Sequence, residues 1–415
     1  MRISIIGAGY VGLVAAACLA KLGHGIMLVD IDEVKLEQIA SGISPIHEPG
    51  LDEILNQINI ETTTDYQKIA GAEVIFICVG TPSDEDGSMS LEYIAKAAKQ
   101  VAEVLKKKMD YCVVTVKSTV VPGTTEELVI PILEASGKKA GKDFGVCMDP
   151  EFLREGKAIH YYMNPARIVI GELDPRSGDV LVNLYKDFKA PVMRTSIRTA
   201  EMIKLASNSF LAAKISLINE IGNICKALGI DTYEVAKGLG YDERIGSKFL
   251  NSGIGFGGSC LPKDLKAIIA KAKQVGYEPE ILESVLKLND KQALKMVELL
   301  KRHISLKGAT IGILGLAFKA GTDDVRESRA IKIVEALLKE GAKVKAYDPV
   351  AMESFRKLFP QIEYTKAEEV LKCDAILIVT EWEEFEHLDY RGKIVIDGRR
   401  IAKARKARIY EGICW

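Results

Sequence analysis

The stretch "RISIIGAGYVGL", Arg2 to Leu13, decides the fold of this 415-residue chain. Its mostly apolar start predicts a buried strand, and Gly7, Gly9 and Gly12 follow with the spacing G-x-G-x-x-G. In this pattern the first glycine permits a tight turn and the second lets the backbone approach a pyrophosphate. The third allows a helix to pack closely on the strand, so that the helix N-terminus faces the negative charge. The stretch therefore predicts the opening of a dinucleotide-binding domain.

The end of the next predicted strand selects the cofactor. "GIMLVD" ends in Asp30, 18 residues after Gly12, where an acidic side chain binds the hydroxyls of an adenosine ribose. A 2′-phosphate would meet this carboxylate, and the following Ile31 and Asp32 add no compensating cation. The pattern therefore predicts NAD rather than NADP. The alternative is a Rossmann-like domain whose glycine turn binds nothing.

Alternation of strands and helices continues beyond this unit and returns later in the chain. Uniformly apolar strands such as "EVIFICVG" indicate a parallel sheet covered on both faces. From Thr199 to about Leu228 the chain has no proline and one glycine, which predicts a helix of roughly 45 Å. A second alternating region begins at Lys307, and its second strand again ends in an acid, Asp348.

The fold class is therefore α/β, with two Rossmann-like doubly wound parallel-sheet domains joined by a long central helix and a helical middle region. The predicted domains are an NAD-binding Rossmann domain over 1–196, a central helical region over 197–303 and a second Rossmann-like domain over 304–415.

Composition excludes several partners. The net charge is −1, with 48% hydrophobic and 27% charged residues, so no overall basic field predicts binding to nucleic acid or to a membrane surface. No apolar run of 18 residues predicts a membrane span. The eight cysteines form no C-x-x-C and histidine occurs five times, which predicts no metal site. Several cysteines lie in apolar runs, and we interpret them as buried thiols of a cytoplasmic protein.

One cysteine has different surroundings. In "GFGGSCLPKD", Gly255 to Asp264, three glycines precede Cys260, and Pro262 is expected to begin a helix. The helix N-terminus and Lys263 both favour the thiolate, which is the nucleophilic form. We expect the glycines to leave room for a substrate, and Asp264 to bind a water or orient the thiol. The alternative is a turn that holds a small residue.

Other polar residues have spacings that suit acyl chemistry. Lys204 and Asn208 are four residues apart on the long helix, so their ammonium and amide donors could stabilise an oxyanion. A solvated lysine beside a polar helix residue is the alternative. Thr119 follows a predicted strand, where ligands of open α/β sheets bind.

Two carboxylates follow Pro150 in "MDPEFLREGKA", where we expect a helix to start. Glu151 and Glu155 are four residues apart and would share a face of that helix, either for acid–base work or as N-terminal acids. In the second Rossmann-like domain no third glycine opens a helix. Side chains could hold a phosphate there instead, and the candidates are Phe318, Lys319, Arg326 and Arg329. The alternative is a solvated charged loop.

A thiol beside a nicotinamide site indicates more than alcohol oxidation. A thiolate that attacks an aldehyde gives a thiohemiacetal, a second hydride transfer gives a thioester, and water releases an acid. One site would then oxidise a primary alcohol to a carboxylate by four electrons.

Nine segments in order, among them "GAGYVGL", "KSTVVPGTT", "DPEFLREG", "GFGGSCLPKD" and "LGLAFKAGTDDVRES", carry a family resemblance over nearly the whole length. The chain resembles the UDP-glucose 6-dehydrogenases, within the nucleotide-sugar dehydrogenase superfamily. The resemblance implies that two NAD molecules are reduced per UDP-glucose, giving UDP-glucuronate. It also implies that residues 304–415 bind the UDP-sugar. A homodimer would form through the central helix, with Arg244 reaching the neighbouring active site.

The resemblance also assigns roles to residues. Cys260 would be the nucleophile, Lys204 and Asn208 would surround the oxyanion, Asp264 and Thr119 would hold a catalytic water, and Glu151 would assist thioester hydrolysis. Either Lys204 or the water removes the first proton. The expected cofactor-binding residues are Gly7, Gly9, Tyr10, Val11, Gly12, Asp30, Lys35, Thr81, Pro82, Ser118, Thr119, Glu155, Lys263 and Arg326. The expected substrate-binding residues are Glu151, Phe152, Leu153, Lys204, Asn208, Arg244, Phe249, Leu250, Asn251, Gly257, Phe318, Lys319 and Arg399.

Two positions depart from the family pattern. Asp149 replaces the usual Asn before "PEF", which as a helix cap would be a mild change. Lys35 stands where Arg is common and would contact the ribose less directionally.

The rival interpretations are a GDP-mannose dehydrogenase, which shares "PEFLREG" and "GGSCLPKD", and a UDP-N-acetylhexosamine dehydrogenase. A one-step dehydrogenase of the 6-phosphogluconate type would not need Cys260. The most distant alternative is a non-catalytic NAD-binding redox sensor that uses Cys260 as its switch.

Overall fold

The computed structural model describes residues 1–415 and divides into two compact units. The first unit contains Met1–Ser207 and Lys266–Lys271, and the second contains Asn208–Leu265 and Ala272–Trp415. The predicted division at residues 196 and 303 stays a prediction. None of the helices combines the length and the apolar character that crossing a bilayer requires.

Each unit contains one sheet. The strands of the first sheet are β1 (Arg2–Ile6), β2 (Gly25–Val29), β3 (Ile60–Thr63), β4 (Val74–Ile77), β5 (Val113–Val116), β6 (Gly145–Met148), β7 (Ile168–Glu172) and β8 (Val192–Ser196). Those of the second sheet are β9 (Thr310–Leu314), β10 (Lys343–Tyr347), β11 (Glu363–Tyr364), β12 (Ala375–Ile378), β13 (Ile394–Asp397) and β14 (Ile409–Gly412).

The helices lie between and beside these strands. They are α1 (Tyr10–Lys21), α2 (Glu33–Ala40), α3 (Leu51–Leu55), α4 (Glu92–Lys107), α5 (Ile130–Glu134), α6 (Ala158–Met163), α7 (Pro175–Leu184), α8 (Ile197–Leu228), α9 (Thr232–Gly240), α10 (Leu261–Gln274), α11 (Glu280–Gln292), α12 (Leu294–Lys301), α13 (Arg329–Lys339), α14 (Met352–Arg356) and α15 (Ala367–Val370).

The strand order confirms the predicted fold class. The first sheet runs β3-β2-β1-β4-β5-β6-β7-β8 and the second runs β11-β10-β9-β12-β13-β14. The second sheet and the first six strands of the first sheet therefore share the order 3-2-1-4-5-6 of the dinucleotide-binding fold. All neighbours are parallel except β6 and β7, which pair antiparallel. The last two strands of the first sheet thus depart from the all-parallel expectation.

The first sheet is buried on both faces. One face packs on apolar side chains from α1, α3, α6 and α7, and the other packs on α4 and α5. This two-sided burial explains why strands such as β4, with all four residues buried, are uniformly apolar. The prediction of a long central helix is confirmed, because α8 has 32 residues.

Two local predictions are wrong. No helix begins at Pro150, because residues 150–154 have no regular structure and α6 starts only at Ala158. Glu151 and Glu155 therefore do not share a helix face. The middle region is also less helical than expected, because no helix occurs between the end of α9 at Gly240 and the start of α10 at Leu261.

Candidate active site

The turn between β1 and α1 fits a dinucleotide pyrophosphate. A Cβ atom at Gly7, whose φ is +102°, would lie 2.7 Å from the carbonyl oxygen of Cys78. A Cβ at Gly12 would lie 1.8 Å from the Gly7 carbonyl oxygen, so this glycine permits the close packing of α1 on the turn. Gly9 has no atom within 4 Å of the corresponding position. Open space at Gly9 and the N-terminus of α1 at Tyr10 are the features that a pyrophosphate needs.

Asp30 lies at the end of β2, and local amides orient its carboxylate. Its Oδ2 accepts from the Ala8 amide at 2.6 Å, and its Oδ1 accepts from the Asp32 amide at 3.0 Å. The Lys35 ammonium lies 4.0 Å from this carboxylate. A carboxylate has about four acceptor positions, so Asp30 keeps capacity for ribose hydroxyls. Ribose binding by Asp30 and Lys35 stays a prediction.

Tyr10 connects this helix to a residue that the sequence did not single out. The Tyr10 hydroxyl donates to the Glu48 carboxylate, and the Gly156 amide donates to the same two groups, at 3.0 Å to Tyr10 and 2.7 Å to Glu48. The Ala158 amide donates to the other Glu48 oxygen at 2.7 Å. Buried Glu48 therefore joins the start of α1 to the loop that follows Glu151. Glu48 is a single acid in a loop, so no residue spacing in the sequence could have predicted these contacts.

Glu151 and Lys204 form a buried ion pair in the first unit. The Lys204 ammonium lies 2.8 Å from Glu151 Oε1, and the two side chains are 4% and 8% exposed. The Leu153 amide donates to the other oxygen at 2.6 Å. Burial alone would raise the pKa of the Glu151 carboxyl, but the Lys204 ammonium and the Leu153 amide hold that pKa below its usual value. Glu151 is thus an anion at neutral pH.

Phe152 packs beside this pair. The Lys204 ammonium lies 5.5 Å from the centre of the Phe152 ring, and the Arg167 guanidinium lies 3.8 Å from it. The ring therefore helps to fix the position of Lys204. Leu153 and Glu155 are half-buried in the same loop.

The ends of β4 and β5 contribute four further predicted residues. The Thr81 hydroxyl donates to the Thr119 carbonyl at 2.9 Å, and the Ser118 hydroxyl donates to the Val79 carbonyl at 2.6 Å. Thr119 is half-buried, and Pro82 is exposed. Thr81, Ser118 and Thr119 therefore lie together at the carboxyl edge of the sheet, where open α/β sheets bind ligands.

Asp149 is not a helix cap, contrary to our expectation. It lies at the end of β6, and its Oδ2 is 2.8 Å from the Lys117 ammonium at the end of β5. The Tyr185 hydroxyl donates to the same oxygen. Asp149 therefore forms a buried ion pair with Lys117.

Cys260 lies in the second unit, immediately before α10. It is exposed, whereas the other seven cysteines are buried. The helix begins at Leu261 rather than at Pro262, and its first turn closes when the Asp264 amide donates to the Cys260 carbonyl at 2.9 Å. The thiol therefore stands at the positive end of the helix dipole, which favours a thiolate.

Asp264 contacts two other predicted residues of the second unit, Lys263 and Asn208. Its Oδ1 is 2.7 Å from the Lys263 ammonium, and its Oδ2 accepts from the Asn208 amide at 2.6 Å. Asp264 is 1% exposed. The Asn208 amide and the Asp264 carboxylate are thus held against one another, one turn beyond Cys260 in α10.

The glycines before Cys260 serve close packing rather than open space, which corrects our expectation. A Cβ at Gly257 would lie 2.3 Å from the Glu327 carbonyl, and one at Gly258 would lie 2.8 Å from the Phe318 ring. Gly255, with φ of +98°, approaches the side-chain oxygen of Asn289 in the same way. The loop therefore lies directly against Phe318.

The other predicted substrate residues of the second unit fall into two groups. Arg399 lies near Phe318, because its guanidinium donates to the Val379 carbonyl at 2.7 Å and to the Phe318 carbonyl at 3.4 Å. The Lys319 ammonium lies 5.4 Å from the Phe318 ring. Around the loop before Cys260, Phe249 has φ of +64° and is half-buried, Leu250 is buried and Asn251 is exposed.

Two predicted arginines bind nearby acids of their own segments. The Arg326 guanidinium lies 2.7 Å from Asp324, and the Arg244 guanidinium lies 2.6 Å from Asp242. Their side chains are 64% and 88% exposed, so both remain accessible to a ligand or a partner.

Comparison with known proteins gives the same order of parts along the chain. Models of the UDP-glucose/GDP-mannose dehydrogenase family match in succession: the NAD binding domain over residues 1–189, the central domain over 198–291 and the UDP binding domain over 312–404.

Individual relatives extend over the whole length. The chain is 46% identical to a UDP-glucose 6-dehydrogenase of Haloferax volcanii, over 100% of both chains. It is 44% identical to a GDP-mannose 6-dehydrogenase of Pseudomonas aeruginosa, over 84% of this chain and 81% of that protein. A solved UDP-glucose dehydrogenase from Pyrobaculum islandicum matches with a TM-score of 0.97 at 42% identity, covering 100% of this chain and 98% of that one.

Proposed function

The chain belongs to the UDP-glucose/GDP-mannose dehydrogenase family, and on that premise we propose that it oxidises C6 of UDP-glucose to a carboxylate with two molecules of NAD, giving UDP-glucuronate. The observation that carries the proposal is Cys260, the exposed thiol at the N-terminus of α10, next to the Asp264–Asn208 pair. An alcohol dehydrogenase that stops at an aldehyde needs no such thiol.

In the proposed reaction, the β1–α1 turn with Gly7, Gly9 and Gly12 would hold NAD, which would supply the hydride acceptor for both oxidation steps. Cys260 attacks the aldehyde carbon formed in the first step and gives a thiohemiacetal. Loss of the second hydride converts this species to a thioester on Cys260. Water then adds to the thioester carbon, and the sulfur leaves as the thiolate.

The ion pair Glu151–Lys204 supplies two functions in this scheme. The Lys204 ammonium donates to the oxyanion that develops at C6, together with the Asn208 amide. The Glu151 carboxylate is ionised at neutral pH because Lys204 and the Leu153 amide lower its pKa, so it can accept a proton from the attacking water. Asp264 and Thr119 hold that water. The first proton is removed by a bound water, or by Lys204 as the neutral amine, which becomes the ammonium when it takes the proton.

The Rossmann-like second unit is assigned to the uridine diphosphate. Two cationic side chains near Phe318 support this role, Lys319 and Arg399, of which Arg399 also pairs with Glu381 at 3.1 Å. The match of residues 312–404 to the UDP binding domain of the family agrees with it.

Turnover with UDP-glucose, GDP-mannose and UDP-N-acetylglucosamine, measured side by side, tests the substrate assignment. The proposal predicts that UDP-glucose has the highest kcat/KM, by at least about tenfold, since a site that hydrogen-bonds one sugar discriminates by 1.4 kcal/mol or more. A preference for GDP-mannose would contradict it.

A homodimer through α8 is part of the proposal. Phe210, Leu217 and Ile224 are spaced seven residues apart on α8 and are 69%, 59% and 56% exposed. An exposed apolar stripe of this kind favours a helix from a second copy. Exposed Arg244 would then reach the sugar nucleotide bound by the partner. A cytoplasmic location is proposed from the seven buried thiols.

A further inference from the structure

A second buried ion pair lies beside Glu151 and is not used by the reaction described above. The Lys117 ammonium is 2.8 Å from Asp149 Oδ2, and the side chains are 5% and 4% exposed. The ammonium lies 5.6 to 5.9 Å from the centres of three aromatic rings, those of Phe76, Tyr162 and Tyr185. Both charges are thus almost completely shielded from bulk solvent.

This pair sits at the two strand ends that carry site residues. Lys117 follows β5 directly and precedes Ser118 and Thr119, whereas Asp149 follows β6 and lies two residues before Glu151. The Asp149 amide donates to the Val116 carbonyl at 2.9 Å, which joins the two strand ends. The pair therefore fixes the distance between the segments of Thr119 and Glu151.

Together the two ion pairs form one charge cluster with two ammonium groups, Lys117 and Lys204, and two carboxylates, Asp149 and Glu151. Charges in a buried region interact over longer distances than in water because little solvent screens them. Burial raises the pKa of the Glu151 carboxyl, and the charge of Lys117 opposes that effect, after the larger contributions of Lys204 and the Leu153 amide.

We propose that Lys117 and Asp149 are positioning residues whose charges set the protonation state of the Glu151–Lys204 pair, and thereby the pH range in which the enzyme works. The inference rests on the proposed function, because it needs a reaction in which that pair takes part. It goes beyond that function because it assigns a role to Lys117 and Asp149, which contact neither the Cys260 thiol nor the sugar in the proposed reaction.

The buried thiols and tyrosine hydroxyls of this region stay neutral and do not compete. Burial raises the pKa of the Cys78 thiol at the end of β4, and of the Cys18 thiol on α1, to about 12. It also raises the pKa of the Cys147 thiol on β6 to about 12. The hydroxyls of Tyr162 on α6 and Tyr185 after α7 have pKa values raised well above their usual range. The Arg167 guanidinium adds a further positive charge at the Phe152 ring, and none of the variants below changes it. The charge differences between those variants therefore come from the two ion pairs.

Removing one charge of the pair has a defined sign. In Asp149→Asn the cluster gains a net positive charge, which favours loss of protons from Lys204 and Glu151 and lowers both pKa values. In Lys117→Gln the cluster gains a net negative charge, and both pKa values rise. We expect the titrating limbs of the kcat–pH profile to move by about one pH unit, downward in the first variant and upward in the second.

Two further variants separate charge from packing. Tyr185→Phe removes a hydrogen bond to Asp149 without changing any charge, so its limbs should stay at the wild-type pH even if kcat falls. The double variant Lys117→Gln with Asp149→Asn restores the net charge, so its limbs should return to the wild-type pH. A purely structural role of the pair predicts neither the opposite shifts nor the return.

The experiment measures kcat from pH 5 to 10 for the full chain at saturating NAD and sugar nucleotide, using the sugar nucleotide that the wild type turns over best. Opposite shifts in the two single variants support the inference. Unmoved limbs, or limbs that move in the same direction, overturn it. If Asp149→Asn does not fold, the kcat–pH profile of Lys117→Gln alone tests the inference, and its limbs must move to higher pH. If the wild type turns over no sugar nucleotide, the proposed function is wrong, and this inference with it. If the wild type is active but the limbs of the kcat–pH profile do not move in the variants, only the inference is wrong.

Discussion

At the scale of single residues, the two acids of the candidate site are held by different kinds of contact. Glu151 is paired with a lysine and one backbone amide, whereas Asp264 has a lysine on one oxygen and an asparagine amide on the other. The first arrangement leaves an anion that can accept a proton from water. The second fixes an amide donor, Asn208, through its carboxylate partner, so loss of Asp264 would also displace the proposed oxyanion contact.

Replacement of the thiol tests the residue on which the reaction depends. We expect Cys260→Ser to lose turnover by roughly a thousandfold, because a serine hydroxyl is a far weaker nucleophile than a thiolate at neutral pH. Because Cys260 is exposed, the variant should fold as the wild type does. Steady-state NADH production gives the rate, and intact mass after mixing with UDP-glucose and NAD should show a slowly resolving covalent adduct.

The matched control is Cys373→Ser, since Cys373 is a buried thiol whose pKa burial raises to about 11. It should keep wild-type turnover. Full activity in Cys260→Ser would show that the nucleophile is assigned wrongly.

Residue-level prediction was possible where chemistry leaves a local pattern. Cys260 was singled out by its glycines and by "PKD", and Lys204 and Asn208 by their helical spacing, and the catalytic roles of all three stay predictions. Glu48 was missed because its contacts to Gly156 and Ala158 join positions more than 100 residues apart. Asp149 was misread as a cap for a similar reason, since nothing near it in sequence indicates Lys117.

At the scale of elements, the β1–α1 turn distinguishes glycines needed for the fold from those needed for the cofactor. An alanine at Gly12 has no room, because its Cβ would lie 1.8 Å from the Gly7 carbonyl oxygen. An alanine at Gly9 meets no protein atom within 4 Å, and the φ of −77° there suits any residue. The fold therefore does not require a glycine at position 9, whereas the close approach of the proposed pyrophosphate does.

We predict opposite outcomes for two alanine substitutions in this turn. Gly9→Ala should keep the wild-type Tm but weaken NAD binding by about tenfold or more, because the methyl group occupies the space that the pyrophosphate needs. Gly12→Ala should lower the free energy of unfolding by about 1–3 kcal/mol, as overpacking does. Thermal unfolding and titration with NAD measure both quantities. A Gly9→Ala variant with unchanged NAD affinity would contradict the proposed cofactor site.

Elements with a long, uniform sequence pattern were predicted correctly. Segments whose conformation depends on contacts with distant residues were not. α8 was found from its long uninterrupted pattern, although its start at Ile197 lies two residues earlier than expected. The helix expected at Pro150 is absent. The residues around that position instead contact distant parts of the chain, since Asp149 pairs with Lys117, Glu151 pairs with Lys204 and the Gly156 amide donates to Glu48.

At the scale of the whole molecule, one sheet order occurs twice. The degenerate repeat was predicted because strand, glycine turn, helix and terminal acid recur at Asp30 and Asp348. The antiparallel pairing of β6 and β7 was not predicted, because apolar strands carry no signal of direction. In the second sheet, Asp348 accepts from the Leu316 and Ala317 amides and from the Trp382 indole, so its carboxylate is occupied by protein groups.

A charge placed on the α8 stripe tests the proposed dimer. Leu217→Arg should give a monomer in light scattering, because a charge in the centre of an apolar interface remains unpaired when buried. Turnover should fall by at least about tenfold, since Arg244 of a second copy would no longer reach the substrate. Lys339→Glu, which reverses an exposed charge on α13, should leave both mass and turnover unchanged. A wild type that is monomeric at assay concentration would refute the dimer.

The number of NADH molecules formed per UDP-glucose consumed distinguishes a four-electron oxidation from a two-electron one. Incubation of the full chain with limiting UDP-glucose and excess NAD gives both numbers, from absorbance and from chromatography of the nucleotide sugars. A four-electron oxidation through a thioester on Cys260 predicts a ratio of two, with UDP-glucuronate as the product. A ratio of one, with an aldehyde as the product, or no turnover at all, would contradict the account.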